Sequence, residues 1–296
     1  MPRLNVQQNN QNIIKAFQVA LETSHKNLLD NWYFVGGGSQ LGDGIFPINQ
    51  RGQTSYNGGI TGFDRWTVDG GDFTATLESG GVRVTSTTPY AGLSQIMPAY
   101  KLQNGETYTY SIVVDGVLHT ATFVANSDGN WSNIYYGEDW YVPYQFINGK
   151  WTFKIINALT SNEMNHLVSK AKIEKGTVST LANDTAPDFG EELRKCQRYL
   201  FIRDYAQNDI IANGLTNNLT MFLPASMRSG GSPTMTFTTT PYVIGNSVIS
   251  TPTSVNLVSV NGNQVQIYAP TTESHNAQTI VLYAGSATRM TISNEL

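Results

Sequence analysis

The densest collection of residues able to do chemistry lies between positions 131 and 151, WSNIYYGEDWYVPYQFINGKW. Trp131, Trp140 and Trp151 are three of the five tryptophans in the chain, and Tyr135, Tyr136, Tyr141, Tyr144 and Phe146 stand among them. A sugar ring presents a face of C–H bonds that stacks on an aromatic ring, while its hydroxyls need fixed polar partners. Glu138, Asp139, Asn133 and Gln145 supply such partners within the same run. Gly129 and Gly137 give 130–141 the character of an exposed loop, whereas Trp151 belongs to an alternating strand and is assigned to the core. The expected ligand contacts are Trp140, Tyr141, Tyr136, Asp139 and Trp131, with core packing as the competing assignment for any single ring. On this reading Trp140→Ala weakens adhesion and leaves the melting temperature unchanged.

Other chemistries fit less well. Glycoside hydrolysis asks for two carboxyl groups about 5–9.5 Å apart and facing one bond. Glu138 and Asp139 are adjacent, and neighbours on an extended chain point to opposite sides. Asp128 is a conceivable partner, but solvated loop acids are the simpler assignment, so no catalytic residue is expected. His25, His119, His166 and His275 are scattered without ligand spacing, and neither HExxH nor CxxC occurs. A structural Ca²⁺ stays open: Asp43, Asp69, Asp72 and Asp128 are hard oxygen donors, yet donors drawn from separate loops leave no readable motif. No cofactor is implied. There is no G-x-S-x-G elbow, and Gly36-Gly37-Gly38 lacks the strand-to-helix setting of a phosphate loop.

The elements that must position these residues are mostly strands. Phe73, Ala75 and Leu77 alternate with polar neighbours, and Gly80-Gly81 turns the chain into Val82 and Val84. A strand around Leu93–Met97 follows. Tyr108, Tyr110, Ile112 and Val114 run into Asp115-Gly116, a strong hairpin signal, and the return strand carries Ala121 and Phe123. Asn148-Gly149 marks a second hairpin before Trp151, Phe153 and Ile155. Leu167, Ser169, Ala171 and Ile173 are expected on one face, with Lys170, Lys172 and Glu174 on the other, solvated one. Two helices interrupt the pattern. One spans 12–28 with Ile14, Phe17, Leu21 and Leu28 at helical spacing and Asn12 as cap. The other runs from about Asp188 to Tyr199, acidic first and basic last, as the helix dipole favours; Leu193, Cys196 and Tyr199 share a face, so Cys196 is expected in packing. Candidate strands at 221–223, 235–239, 242–244, 255–260, 265–268 and 279–284 complete the chain.

Composition sets outer limits. A length of 296 residues favours about two domains. Charged residues make up 14%, well under the usual quarter or so, while 40% hydrophobic content is enough for two cores. A net charge of −4, with no basic run, argues against nucleic acid as partner. No apolar run approaches the ~18 residues of a membrane span, so no membrane insertion is expected. One cysteine excludes an internal disulfide framework, and the first dozen residues, MPRLNVQQNNQN, carry no signal-peptide pattern.

The stretch 27–66 organises the first half. NLLDNWYF, then NQRGQTSYNGG, then FDRW resemble the opening of the carbohydrate-binding-module-like jelly roll of phage and prophage tail fibres. Read without the resemblance, the stretch is an extended edge segment pinned to a sheet by Trp32 and Trp66. A second block at 171–201, AKIEKGTVSTLANDTAPDFGEELRKCQRYLF, is similar to the segment that closes that module. The resemblance implies a homotrimeric virion fibre, made in a bacterial cytoplasm and acting outside it. Its partners would be host surface polysaccharide and, through the N-terminus, other virion proteins. The expected architecture is all-β: an attachment segment and short helix at 1–28, a jelly-roll β-sandwich at 29–180, a linker and helix at 181–200, and a C-terminal β-sandwich at 201–296. The expected function is host attachment as a non-enzymatic receptor-binding protein. A structural or decoration protein without glycan binding, and a glycan depolymerase, are the alternatives.

Overall fold

A computed structural model describes residues 26–36, 44–160, 163–207, 209–215, 218–227, 233–245, 248–271, 280–284 and 286–293. The chain is mostly β. The N-terminal helix expected over 12–28 falls largely outside these residues; positions 26–28 are not helical. Among the described residues no helix is long and apolar enough to cross a membrane.

The first unit holds twelve strands: β1 Ser55–Asn57, β2 Ile60–Thr61, β3 Thr67–Asp69, β4 Thr74–Glu78, β5 Gly81–Ser86, β6 Gly92–Pro98, β7 Thr107–Val114, β8 Val117–Val124, β9 Ser132–Tyr136, β10 Trp140–Ile147, β11 Lys150–Ala158 and β12 Met164–Lys175. They form two six-stranded sheets, ordered β1-β4-β5-β12-β7-β8 and β2-β3-β6-β11-β10-β9. All their pairings are antiparallel. One hydrophobic cluster draws on both sheets, from Val82, Val84 and Ile112 to Leu93, Phe153 and Ile155. Turn chemistry sets the registers. Asp115 and Gly116 take φ of 49° and 79°, and Asn148 and Gly149 take 51° and 73°. These left-handed pairs make the two-residue turns that match strand twist.

β12 departs from the expected alternation. A bulge between Val168 and Lys170 shifts its register against β7, so Val168 is buried where Leu167 was expected, and Ala171 and Ile173 resume the inward face. Nor is the opposite face solvated: Lys172 and Glu174 are buried beneath the segment after β12. Lys172 Nζ donates to Thr180 Oγ1 and Asp184 Oδ2, both at 2.6 Å, and Glu174 accepts from Thr180 N at 2.8 Å. Composition marked 176–187 as a linker; its side chains roof β12.

The 27–66 stretch runs along β12. Phe34 N donates to Ser169 O and Ala171 N to Trp32 O. Phe34 meets Phe63 and Trp66 edge-on, with ring centroids 5.7 and 5.5 Å apart. Between these rings lies a buried polar network. Asn31, held at φ 53°, donates through Nδ2 to Ile48 O (2.9 Å) and Asp64 O (2.8 Å) and accepts from Ile48 N (2.7 Å). Trp66 Nε1 donates to Asn31 O. Asp30 pairs with Arg65 (3.2 Å) and Lys101 (3.1 Å). Burial alone would raise the Asp30 carboxyl, but these two cations outweigh it and hold it below the usual range.

This network fastens the first unit to the helix and strand on its C-terminal side. Helix α1, Phe189–Gln197, is capped by Asp188, whose side chain accepts from Glu191 N at 2.7 Å. Buried Glu192 on α1 accepts from Asn31 N. Gln50 donates to Asp64 Oδ2 (2.6 Å) and to Leu200 O (2.8 Å), and the Arg65 guanidinium lies 3.5 Å over the Tyr199 ring. Cys196 is buried with Phe46 and Ile48, and burial pushes its thiol up.

The second unit comprises β13 Leu200–Tyr205, β14 Ile210–Leu215, β15 Asn218–Phe222, β16 Thr234–Phe237, β17 Tyr242–Gly245, β18 Val248–Ser250, β19 Asn256–Asn261, β20 Gln264–Tyr268, β21 Ile280–Tyr283 and β22 Thr288–Ser293. A three-stranded sheet, β13-β22-β16, and a seven-stranded sheet, β18-β17-β21-β14-β15-β20-β19, share a second core. Sequence patterning missed β13, β14, β18 and β22.

Candidate functional site

The run 130–141 is no loop. β9 and β10 pair as a hairpin, with Tyr136 opposite Tyr141 and Tyr135 opposite Val142. Its short connection, 137–139, needs glycine at 137, since a Cβ there would fall 2.7 Å from the Trp140 indole nitrogen. Alternation along β10 then sorts the rings to two sides.

Trp140 points inward. It is 4% exposed, with its ring 5.0 Å from that of Tyr135 and 5.4 Å from that of His119, at right angles to the latter. His119 Nδ1 lies 2.8 Å from Tyr135 Oη. The expectation that Trp140 offers a ring face to a ligand is therefore corrected: its position in the strand pleat turns it into the core. Asp139 is also engaged elsewhere. Its carboxylate oxygens lie 2.9 and 3.1 Å from His166 Nε2.

The other three predicted residues do come together, on the outward side. Tyr136 and Tyr141 stack across the hairpin, with centroids 5.9 Å apart and planes 14° from parallel. Trp131 is 49% exposed beside them. With Tyr90, Asn133, Pro143, Lys154 and Leu159 they line a cleft of about 410 Å³, within the size range of small-ligand sites.

Each wall is fixed from behind. Lys154 Nζ is bound by Asp69 Oδ2 (2.7 Å) and Tyr90 O (3.0 Å) and lies 5.5 Å over the Trp131 ring. Asn133 Nδ2 donates to Tyr136 Oη at 2.5 Å. The Asn157 amide, oriented to accept from Tyr141 Oη (2.7 Å), donates to Tyr90 O (2.8 Å) and Ala91 O (3.0 Å). Burial raises the Tyr141 phenol, with Tyr90 and Tyr136 adding to the effect, so it stays a neutral donor.

Tyr90 was not anticipated. Its φ is 68°, in the left-handed region that a tyrosine rarely adopts, and its side chain is 67% exposed. A strained backbone supporting an exposed ring at a cleft is the kind of feature that marks functional sites. Lys154 was not anticipated either, although alternation with Trp151, Phe153 and Ile155 is a signal that puts it on the outward face.

None of the eight lining residues is a carboxylic acid. What the cleft offers is stacking surface, neutral donors and acceptors, and one ammonium already paired with Asp69. The aspartates considered for Ca²⁺ have protein partners: Asp72 accepts from Ser86 Oγ, Thr87 N and Thr88 N, and Asp128 from Asn130 N. Asp43 lies outside the described residues. Among the described residues no three His, Cys, Asp or Glu side chains converge as a metal cage.

On the far side of the same hairpin, His166 of β12 is clipped between two turns. Asp115 Oδ2 lies 2.6 Å from its Nδ1 and Asp139 holds its Nε2; Asp115 also accepts from Leu167 N and feels the charge of Arg83. Partial burial alone would lower the imidazole, but hydrogen bonds and charges from Asp115 and Asp139 raise it above 6.5. A raised folded-state value means the imidazolium contributes its full stability below the unfolded value and loses it as pH rises through the folded one. The melting temperature is thus expected to fall as pH climbs from below 6.5 into the alkaline range. In His166→Gln that part of the fall should disappear. An imidazole titration seen by NMR at or below 6.5 would remove the basis for this expectation. Comparison of this chain with protein-family models and with curated proteins finds no match.

Proposed function

We propose that this chain is a phage or prophage fibre protein that adheres to host surface glycans through the cleft on β9–β11, without cutting them. The observation that carries the reading is the outward cluster of Trp131, Tyr136, Tyr141 and Tyr90 around a cleft with no acid in its lining. Two six-stranded sheets around one core suit a jelly-roll carbohydrate-binding module, and a neutral aromatic floor suits the C–H face of an uncharged sugar. Single contacts of this kind are weak. Three copies in a fibre and several fibres on a particle raise avidity without new contacts. The second unit leaves Phe222, Val258 and Tyr268 exposed on β15, β19 and β20, apolar surface that a homotrimer would cover.

Burial of Trp140 and the engagement of Asp139 by His166 favour, to that extent, a second reading: a structural or decoration protein of the virion that has no use for sugar.

Glycan-array binding of the native chain against Trp131→Ala, on samples sized by light scattering, tests the first reading. A neutral oligosaccharide should bind the native trimer and lose about tenfold or more in affinity with the variant, which is ~1.4 kcal/mol, while the melting temperature holds. Equal binding by both proteins, or a trimer with no array hit, would transfer the case to the structural reading.

A further inference from the structure

The chain has no basic run and is acidic overall, at −4, yet five of its 18 Lys and Arg residues gather at one place. Where the 27–66 stretch meets the end of α1, a hollow of about 310 Å³ is lined by Lys26, Lys101, Lys195, Arg198, Tyr100 and Tyr199, with Asp30 in its wall. Arg65 stands behind Tyr199, and Glu192 beneath Lys195, 2.6 Å from its Nζ. These are five cations against two carboxylates, a formal surplus of three. Asp30 and Glu192 are both buried and already committed to Arg65, Lys101, Lys195 and Asn31 N. Among the described residues no ion pair or hydrogen bond engages the side chain of Lys26 or Arg198.

Dipole compensation accounts for part of this arrangement: Lys195 and Arg198 sit at the carbonyl end of α1, where positive charge is favoured. It does not account for Lys26 and Lys101, which arrive from the segment before Asn27 and from the turn after β6. A groove next to the hollow is lined again by Lys26, Lys195 and Arg198 and adds Arg194 with Glu191. The positive surface therefore continues past the hollow's mouth.

The second feature is Tyr100, 71% exposed at the hollow's edge. A ring that large, left in water beside converging cations, offers stacking and charge to the same ligand.

We propose that this hollow binds an acidic saccharide, with the sugar ring on Tyr100 and its carboxylate between Lys26 and Arg198. The proposal does not rest on the cleft at β9–β11; the residues are different and so is the ligand's charge. Lys101 and Lys195 act here as fixed background potential, because their ammonium groups are already held by Asp30 and Glu192. Lys26 and Arg198 supply the direct contacts.

Calorimetric titration of the full chain with tetragalacturonate tests this. Binding is expected, weakened about tenfold or more by NaCl raised to ~0.5 M and lost to a similar degree in the double variant Lys26→Ser/Arg198→Ser. A neutral oligosaccharide should be indifferent to that variant, and Trp131→Ala should leave tetragalacturonate binding unchanged. Amide shifts of the native chain on addition of tetragalacturonate should centre on Tyr100 and Arg198, a readout that needs no variant to fold. Full affinity in the double variant, or shifts elsewhere, would overturn the assignment. Inorganic phosphate binding as tightly as tetragalacturonate would overturn the saccharide part, because the ring on Tyr100 would then contribute nothing.

Discussion

Asn31→Ala is expected to destabilise the first unit by about 3–5 kcal/mol, among the larger losses any single substitution produces. The side chain closes three buried hydrogen bonds, to Ile48 N, Ile48 O and Asp64 O. Each of those backbone groups, left without a partner and away from water, costs roughly 1–3 kcal/mol. The backbone adds to this. Asn31 sits at φ 53°, a conformation asparagine tolerates and alanine resists by roughly 1–2 kcal/mol. Asn31→Gly separates the two contributions: it loses the same hydrogen bonds but relaxes the backbone, and should be the milder variant by about 1 kcal/mol. Urea unfolding monitored by tryptophan fluorescence reads both. A loss under about 1 kcal/mol for the alanine variant would mean that water replaces the amide and that the network is not cooperative.

Trp140→Ala should cost a similar amount, about 3–5 kcal/mol. The indole is buried against Tyr135 and His119, and its removal leaves a cavity that a short, tightly turned hairpin cannot close. Trp131→Ala, nine residues away and half exposed, should stay within about 0.5 kcal/mol of the native chain. The pair makes a sharp contrast between two tryptophans that look equivalent in the sequence. If thermal melts ranked them the other way, the inward and outward sides of the β9–β10 hairpin would have to be exchanged, and the cleft at β9–β11 with them.

That contrast also shows where sequence reading stopped. Asp115-Gly116 and Asn148-Gly149 were readable because a left-handed pair is a local requirement with few solutions. The helix starting near Asp188 was readable from its acidic first turn and basic last turn. Alternation marks which residues share a side, but it does not say which side is covered. Trp140 and Tyr141 could not be sorted until β10 had partners on both edges. The bulge in β12 has no local signature, so Leu167 and Val168 exchanged places. Lys172 and Glu174 read as solvated because their roof, Thr180 and Asp184, arrives from a segment whose composition says only that it turns. Tyr90 belongs to the cleft through contacts such as that with Lys154, 64 residues distant, out of reach of any window. The resemblance of 27–66 and 171–201 to a known module pointed to two stretches without saying what they do for each other. They meet: Asn31 and Gln50 from one bind Glu192 and Leu200 of the other.

The bonds from Asn31 to Glu192 and from Gln50 to Leu200 have a mechanical meaning as well. They run in parallel with the covalent chain, so tension applied between the two β units is shared by a riveted seam before any slack in 176–187 can pay out. The seam also fixes where the protein can be cut. A fragment that stops ahead of α1 would leave Asn31 N without Glu192 and the Gln50 amide without Leu200 O and Ile202 N, while one that keeps α1 and the first residues of β13 carries its own closure.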